Sequence, residues 1–469
     1  MSDIISQMGD LTASLLSKCP AKIRKSFKSF FMETLILYVV MNKVNFTQLG
    51  RFGNHTEKTY RQHFEKNHVD MFKLNFELAQ RYFGDSVGVK AIAIDPSYIP
   101  KAGKHTPFTG YFWSGAAACA KWGLEILGMG IIDSLRHECI MLGAYQTPNA
   151  DALSSKDICK DGDPARHIVG KEAVTDLERI EKYVKNLQLP RPYHKKADAE
   201  VVEATNKKEL ANKFTQVDWY APLGLPVPFV FALNCVRNIN LVVADAFFSK
   251  YNFIYGLNKL GLKLVSRLRD DAALWYINRE PHTGKAGRPK KYLGKVDIDS
   301  LDSKVFHEMD YDLDNGKCFV GQVYSKALKT EIKIVVWFSE DGKKHKIFFS
   351  NDLSLSGVDI VRVYRTRFQI EFEFRNAKGY ASLNRCQARS TNKLRTHFNM
   401  SFTSMNCLKM ATREMGLDYS VSNLKTMAHG QYLMKRFICV SGIEPDSNLI
   451  SKLQNEVISL TSLVQRDAA

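Results

Sequence analysis

The chain has 469 residues, 45% of them hydrophobic, and sets 66 Lys and Arg against 49 Asp and Glu for a formal net charge of +17. That length can bury a large core shared by roughly two to four domains, and the charge excess points to a polyanionic partner, nucleic acid first. Nine cysteines with no CxxC pair exclude a zinc ribbon or a paired disulfide framework and imply a reducing interior.

The opening MSDIISQMGD carries neither a charged nor an apolar leader segment, and no stretch reaches the roughly 18 uncharged residues of a membrane span. A soluble, cytoplasmic protein without a membrane partner is expected. Residues 21–41 put Ile23, Phe27, Phe30, Phe31 and Leu35 at helical spacing with Lys22, Arg24, Lys25 and Lys28 opposite, which predicts an amphipathic helix with a basic back. In residues 45–66 a short helix over 47–52, a turn at Gly53 and Asn54 and a second helix have helix-turn-helix length. They would offer Lys58, Tyr60, Arg61 and Gln62 to a DNA groove, although any small helical bundle reads alike.

From residue 87 short apolar runs bounded by turn residues, VKAIAIDPSY, GLEILGMGIID and ECIMLGAYQTP, predict three successive strands. A helix over 174–188, a strand at NLVVADAFF, a helix over 250–259 and a strand at GLKLVSRLR follow. The order β-β-β-α-β-α-β is that of an RNase H-like mixed α/β sheet with helices on its faces. Between 270 and 350, LWYIN, KVFHEMDYD, CFVGQVYS, EIKIVVWFS and KHKIFFSN read as strands with no helix between them, which makes an all-β insertion. Within it, residues 284–292 form a Gly-Pro loop carrying Arg288, Lys290 and Lys291. It is either a solvated hairpin tip or a DNA-probing loop, and the total charge favours DNA. Residues 380–412 continue basic and helical through Arg385, Arg389, Lys393 and Arg395, and the last 60 residues read as helices. Cys119, Cys139, Cys235 and Cys407, set among apolar neighbours, read as small core residues. The expected layout is an N-terminal helical DNA-binding domain over 1–85, a core over 86–269, the insertion over 270–350, the rest of the core over 351–400 and a helical region over 401–469.

The stretch 359–379, DIVRVYRTRFQIEFEFRNAKG, predicts one helix on which Tyr364, Arg367, Glu371 and Lys378 fall within about 60° of one another. Val363, Ile370, Phe374 and Ala377 would pin it to a core, with Phe368 and Phe372 as packing residues on the other side. Such a face can be a solvated, ion-paired surface. A carboxylate fixed among cations also suits a site that handles metal and phosphate. Two further acids end apolar runs, Asp95 after AIAI and Asp245 after NLVVA, where an unpaired charge would be costly. Each could instead serve as a turn or helix cap.

The spacing Y-x2-R-x3-E-x6-K resembles the signature of bacterial insertion-sequence transposases of the YREK group, insertion-sequence family four of the DDE superfamily. The ADAFF context of Asp245 and the run from Arg385 to Arg389 are similar to members of that group. The resemblance implies a catalytic, metal-binding triad of Asp95, Asp245 and Glu371 holding two Mg²⁺ ions, with Mn²⁺ as substitute. It implies phosphate contacts from Tyr364, Arg367 and Lys378, with Arg375 on the same helix a further DNA candidate. The implied reaction is cut-and-paste transposition of double-stranded DNA, terminal inverted repeats into target, by a homodimer that pairs two ends. Hairpin-forming relatives hold a flipped base on an aromatic ring of the insertion; KHKIFFSND has no tryptophan, so Trp337, Phe348 and Phe349 are the substitutes by proximity. An RNase H-like nuclease that cuts without strand transfer, or a DNA-binding protein descended from a transposase, remains an alternative.

Overall fold

A computed structural model describes residues 3–17, 23–66, 69–103, 106–147, 238–259, 261–280 and 290–442, together with Lys452 and Glu456. The expected helix over 174–188, Cys235 and Arg288 lie outside the described residues.

The N-terminal part is helical: α1 (Ile4–Ser17), α2 (Lys25–Val40), α3 (Phe46–Phe52), α4 (Glu57–Lys66) and α5 (Met71–Phe83). In α2 the apolar row turns inward as its spacing requires, with Phe30, Phe31 and Leu35 buried. Side-chain oxygens start α3 and α5, Asn45 accepting from the Gln48 N–H and Asp70 from the Lys73 N–H, which satisfies donors the helices leave open. Between α3 and α4 the chain passes so close to Tyr60 that a Cβ on Gly53 would lie 1.9 Å from its hydroxyl. Tyr60 is therefore wholly buried against this turn and is not offered to a groove, contrary to the expectation from its position on α4.

One mixed sheet joins the described strands between Lys90 and Ser350. Its strands are β1 (Lys90–Pro100), β2 (Gly110–Ser114), β3 (Cys119–Asp133), β4 (Glu138–Thr147), β5 (Leu241–Val243), β6 (Lys263–Leu268), β7 (Leu274–Ile277), β8 (Tyr292–Lys295), β9 (His307–Leu313), β10 (Gly316–Ser325), β11 (Thr330–Phe338) and β12 (His345–Ser350). The path is β2-β3-β1-β5-β6-β12-β11-β10-β7-β8, with β4 on β3 and β9 on β10. Among the described strand pairs only β1-β5 and β5-β6 are parallel, so the described sheet is mostly antiparallel. The strands expected between 270 and 350 form, and β12 pairs with β6, which makes them continuous with the core sheet.

Five further helices are described: α6 (Tyr251–Lys259), α7 (Gly357–Thr366), α8 (Gln369–Tyr380), α9 (Thr391–Glu414) and α10 (Val421–Ser441). The helix expected over 359–379 is thus two. At the break the bonds shorten to three residues, Phe368 to Arg365, Ile370 to Arg367 and Glu371 to Phe368, which tightens one turn and offsets α8 from α7. The apolar anchors hold, since Val363, Ile370, Phe374 and Ala377 are all buried. A Cβ on Gly128 of β3 would lie 2.4 Å from the Phe374 ring, so the bare backbone there admits α8 onto the sheet. The basic run 381–389 is not helical, because α9 starts only after Ser390, which caps it by accepting from the Lys393 N–H.

Helix α9 is buried along most of its length although much of its sequence is polar. Its asparagines close the edge of the sheet. The Asn399 amide accepts from Ala144 N–H at 2.8 Å and donates to Ala144 O at 3.3 Å, and Asn406 does the same to Met141 at 3.3 and 2.7 Å. Strand β4 therefore pairs with side chains where a further strand would stand, which keeps its edge satisfied and covered. Asn406→Leu strands two buried backbone groups and is expected to cost about 2–4 kcal/mol in denaturant unfolding. Asn406→Gln should not recover the loss, because the longer side chain cannot hold both bonds.

Cys139 and Cys407 are buried as expected, whereas Cys119 is exposed because it sits at the tip of the β2-β3 hairpin. Among the described residues no helix is long and apolar enough to cross a membrane.

Candidate active site

The parallel ladder between β1 and β5 ends at Ala93 and Val243, yet β1 runs on to Pro100 against β3. Asp95 therefore lies inside a strand, not at a turn, just past the end of its parallel neighbour. Asp245 stands two residues beyond β5, where its carboxylate accepts from the Phe247 N–H at 2.9 Å and caps a single 3-10 turn. Both acids thus border the crevice outside the carboxyl ends of parallel strands, the usual location of a ligand site in a mixed sheet. Helix α8 crosses the same crevice and brings Glu371.

Arg367, in the tightened turn between α7 and α8, joins these elements. Its Nη1 lies 3.5 Å from the Asp95 carboxylate and its Nη2 donates to Glu371 at 2.8 Å, with only 12% of the side chain exposed. Its Nε is buried with no hydrogen-bond partner among the described residues. Lys378 donates to the Ser97 hydroxyl at 2.8 Å, and Ser97 follows Asp95 by two residues on the same face of β1. The Tyr364 ring packs against Phe348 with centroids 5.2 Å apart and lies 5.9 Å from the Arg367 guanidinium. All six residues that the sequence singled out for the centre are therefore gathered around one crevice.

Electrostatics tie the acids together. Burial pushes the Asp95 carboxyl up to about 7; Arg367 pulls it back, and Glu371, Asp245 and Glu125 add to the rise. Burial works against the Arg367 cation, yet Asp95 and Glu371 hold it firmly charged. Lys378 is lowered by burial, with Asp95 opposing.

Asp95, Asp245 and Glu371 thus border the crevice beside the partly buried Arg367 and Lys378. Carboxylate oxygens are the donors that hard divalent cations take, so Asp95, Asp245 and Glu371 fit such an ion by chemistry. Among the described residues no three His, Cys, Asp or Glu side chains yet converge on one point, since Arg367 occupies the space between Asp95 and Glu371.

A pH dependence follows. The Asp95 carboxyl binds its proton more tightly folded than unfolded, so its contribution to stability is present below about pH 4 and is lost as pH rises through about 7. Thermal denaturation of the metal-free protein is expected to show a lower Tm at pH 8 than at pH 6. Asp95→Asn should flatten that difference, and an unchanged difference would assign it to other groups.

The outlying candidates divide. Lys58 is exposed on α4, while Arg61 is tied to Glu57 at 2.6 Å and lies 4.7 Å from the Phe46 ring centre. Lys290 and Lys291 are exposed where the chain enters β8, and Arg375 is exposed with its guanidinium 4.5 Å from the Phe372 ring centre. Trp337 is a core residue: it is 7% exposed and its Nε1 donates to Leu313 O at 2.6 Å, so its ring is not free to receive a base. Phe348 and Phe349 are likewise buried. Phe368, read as a packing residue, is 47% exposed and meets Phe372 edge to face, because the break in the helix turns it outward.

Sequence reasoning missed Ser97, Glu125 and Lys101. Lys101 donates to Cys386 O at 2.7 Å and Ala388 O at 2.8 Å, pinning the Arg385–Arg389 run beside β1. Ser97 was detectable as the residue sharing a strand face with Asp95. Glu125 is 5% exposed on β3 and carried no local signal.

Two family models match this architecture, one described as DDE superfamily endonuclease over residues 53–310, which is more than half of the chain, and one as Transposase DDE domain over 228–407. The chain belongs to the DDE superfamily. No curated protein matches the sequence. The endonuclease model spans Asp95 and Asp245, and the transposase domain spans Asp245, Tyr364, Arg367, Glu371 and Lys378, so each covers acids that border the crevice. Membership makes this a transposase with nuclease chemistry, of a family that typically uses divalent metal ions.

Proposed function

We propose that this DDE transposase belongs to the YREK-signature group and moves an insertion sequence by cut-and-paste, cleaving double-stranded DNA at the terminal repeats and joining the freed 3′-hydroxyl to target DNA. The observation that carries the reading is the placement of Arg367 and Lys378. Each cation is half-buried and hydrogen-bonded at the crevice that Asp95, Asp245 and Glu371 border. A protein needing only ion pairs there has no use for three acids at strand and helix positions beside an Arg367 Nε that has no partner among the described residues.

Asp95, Asp245 and Glu371 are the ligands in this reading, and two bound divalent cations would activate the attacking oxygen and stabilise the leaving one. Arg367 carries a planar fork of donors suited to a phosphate, and a phosphate that takes it over releases the carboxylates it holds in the free protein. Tyr364 and Lys378 flank that position, and a second copy of the chain would carry the other transposon end.

Lys378→Ala is expected to weaken DNA binding and to reduce the slope of affinity against salt by about one unit. An unchanged slope would return Lys378 to a purely structural bond with Ser97. The proposal is tested by incubating the protein with its element's ends and Mg²⁺ or Mn²⁺ and separating the products on a denaturing gel. Nicked, hairpin and strand-transfer species each have a distinct length. Strand-transfer product is expected, and nicks alone would reduce the activity to that of a nuclease.

A further inference from the structure

Strand β2 and the first residues of β3 form a hairpin, Gly110 to Gly123, that carries on past the last pair of the β1-β3 ladder at Pro100 and Gly123. Tyr111 stands opposite Trp122 and Trp113 opposite Ala120, so the three rings share one face of the hairpin. They are 71%, 39% and 65% exposed for Tyr111, Trp122 and Trp113, while Phe112 between them is buried and anchors the strand. The Tyr111 and Trp122 rings meet edge to face with centroids 5.4 Å apart, and the Tyr98 hydroxyl of β1 donates to Trp122 O at 2.6 Å. The Tyr111 and Trp122 rings therefore brace each other before anything binds. Three large exposed aromatics on one short hairpin are far more than a soluble surface needs.

Two features say what covers them. The first is charge: no acidic residue occurs between Asp95 and Glu125, whereas Lys101, Lys104 and Lys121 do, so this acid-free stretch favours a polyanion. The second is position. Five residues of strand separate Asp95 from Pro100, about 17 Å, which equals about five nucleotides at 3.4 Å per step along a strand. Flat rings accept any nucleobase face without reading its sequence. Trp113 and Trp122 are the exposed tryptophans among the described residues.

We propose that the hairpin face of Tyr111, Trp113 and Trp122 is a stacking platform for unpaired bases of the DNA a few nucleotides from the scissile phosphate. This rests on the reading that the crevice cuts DNA. Duplex bases present no free faces, so the platform selects the strand that separates at the cut.

The test measures fluorescence anisotropy of a short labelled oligothymidylate and of a duplex of the same length. The proteins are wild type, the Trp113→Ala/Trp122→Ala pair and the Trp113→Phe/Trp122→Phe pair, each as the full chain. The alanine pair is expected to lose about ten- to a hundredfold in affinity for the single strand, with duplex affinity retained, and the phenylalanine pair to stay near wild type. Equal single-strand binding by wild type and the alanine pair overturns the platform, as does a phenylalanine pair as weak as the alanine pair. Wild type that binds duplex but not single strand overturns the platform alone; failure to bind either, with no cleavage of DNA, overturns the cutting reading as well. Sedimentation without DNA completes the test. Self-association that the alanine pair abolishes would give the face to a second copy of the chain instead.

Discussion

Replacing Asp95 or Asp245 by Asn, or Glu371 by Gln, is expected to abolish divalent-cation-dependent cleavage of DNA ends while leaving DNA binding largely in place. Each substitution keeps side-chain size and removes one anionic ligand. Charge stabilisation by bound metal contributes several kcal/mol to phosphoryl transfer, so the loss should reach about three orders of magnitude in rate. Binding survives because the cations that would hold phosphate, Arg367 and Lys378, remain. The Arg367 contacts to Asp95 and Glu371 are separate, at 3.5 and 2.8 Å, so losing one acid leaves the guanidinium anchored by the other. Cleavage assays under single-turnover conditions, with binding measured in parallel, check this. A variant that still cuts at the wild-type rate would remove its residue from the site.

The second large effect is on stability. Lys409, on α9, lies 3.2 Å from Glu373 on α8 and 3.9 Å from Glu138 on β4, and it donates to Cys139 O at 3.1 Å. Lys409 and Glu373 are each 7% exposed. Burial works against the ammonium, but Glu373 and Glu138 hold its pKa above the usual lysine range. Lys409→Met would leave Glu373 buried without its cation, and breaking such a pair costs about 3–5 kcal/mol. Because Glu373 stands two residues from Glu371, the same pair clamps the part of α8 that carries the candidate ligand. Denaturant unfolding should show the full loss in Lys409→Met and recover most of it in Lys409→Met/Glu373→Leu, where both charges are gone. A double variant as unstable as the single one would show that Lys409 acts through packing alone.

Legibility in the sequence followed the range of the interactions. Asp95, Asp245 and Glu371 could be read because each sits in a local pattern, two at the end of apolar runs and one at a helical spacing shared with Tyr364, Arg367 and Lys378. The spacing survived the break at Arg367 and Phe368 because both residues keep right-handed helical backbone angles, so the faces of α7 and α8 remain close. Partners that meet through tertiary contact left no such mark. Asn399 and Asn406 look like ordinary polar helix positions until β4 lies beside them. Tyr60 and Trp337 have the composition of DNA contacts, but the Gly53 turn encloses one and the carbonyl of Leu313 engages the other. Local spacing likewise hid that Tyr111, Trp113 and Trp122 share a face, since Trp122 reaches it only through the β2-β3 register.

We infer that Asp95, Asp245 and Glu371 act as one metal site that Arg367 holds closed in the free protein. Titration of Mn²⁺ into wild type, Asp95→Asn, Asp245→Asn and Glu371→Gln, read as loss of the free-ion electron paramagnetic resonance signal, tests it directly. Each of the three substitutions is predicted to weaken Mn²⁺ binding at least about tenfold, and Arg367→Met to strengthen it by freeing the carboxylates. Mn²⁺ binding of equal strength in wild type and all three acid variants would contradict the claim.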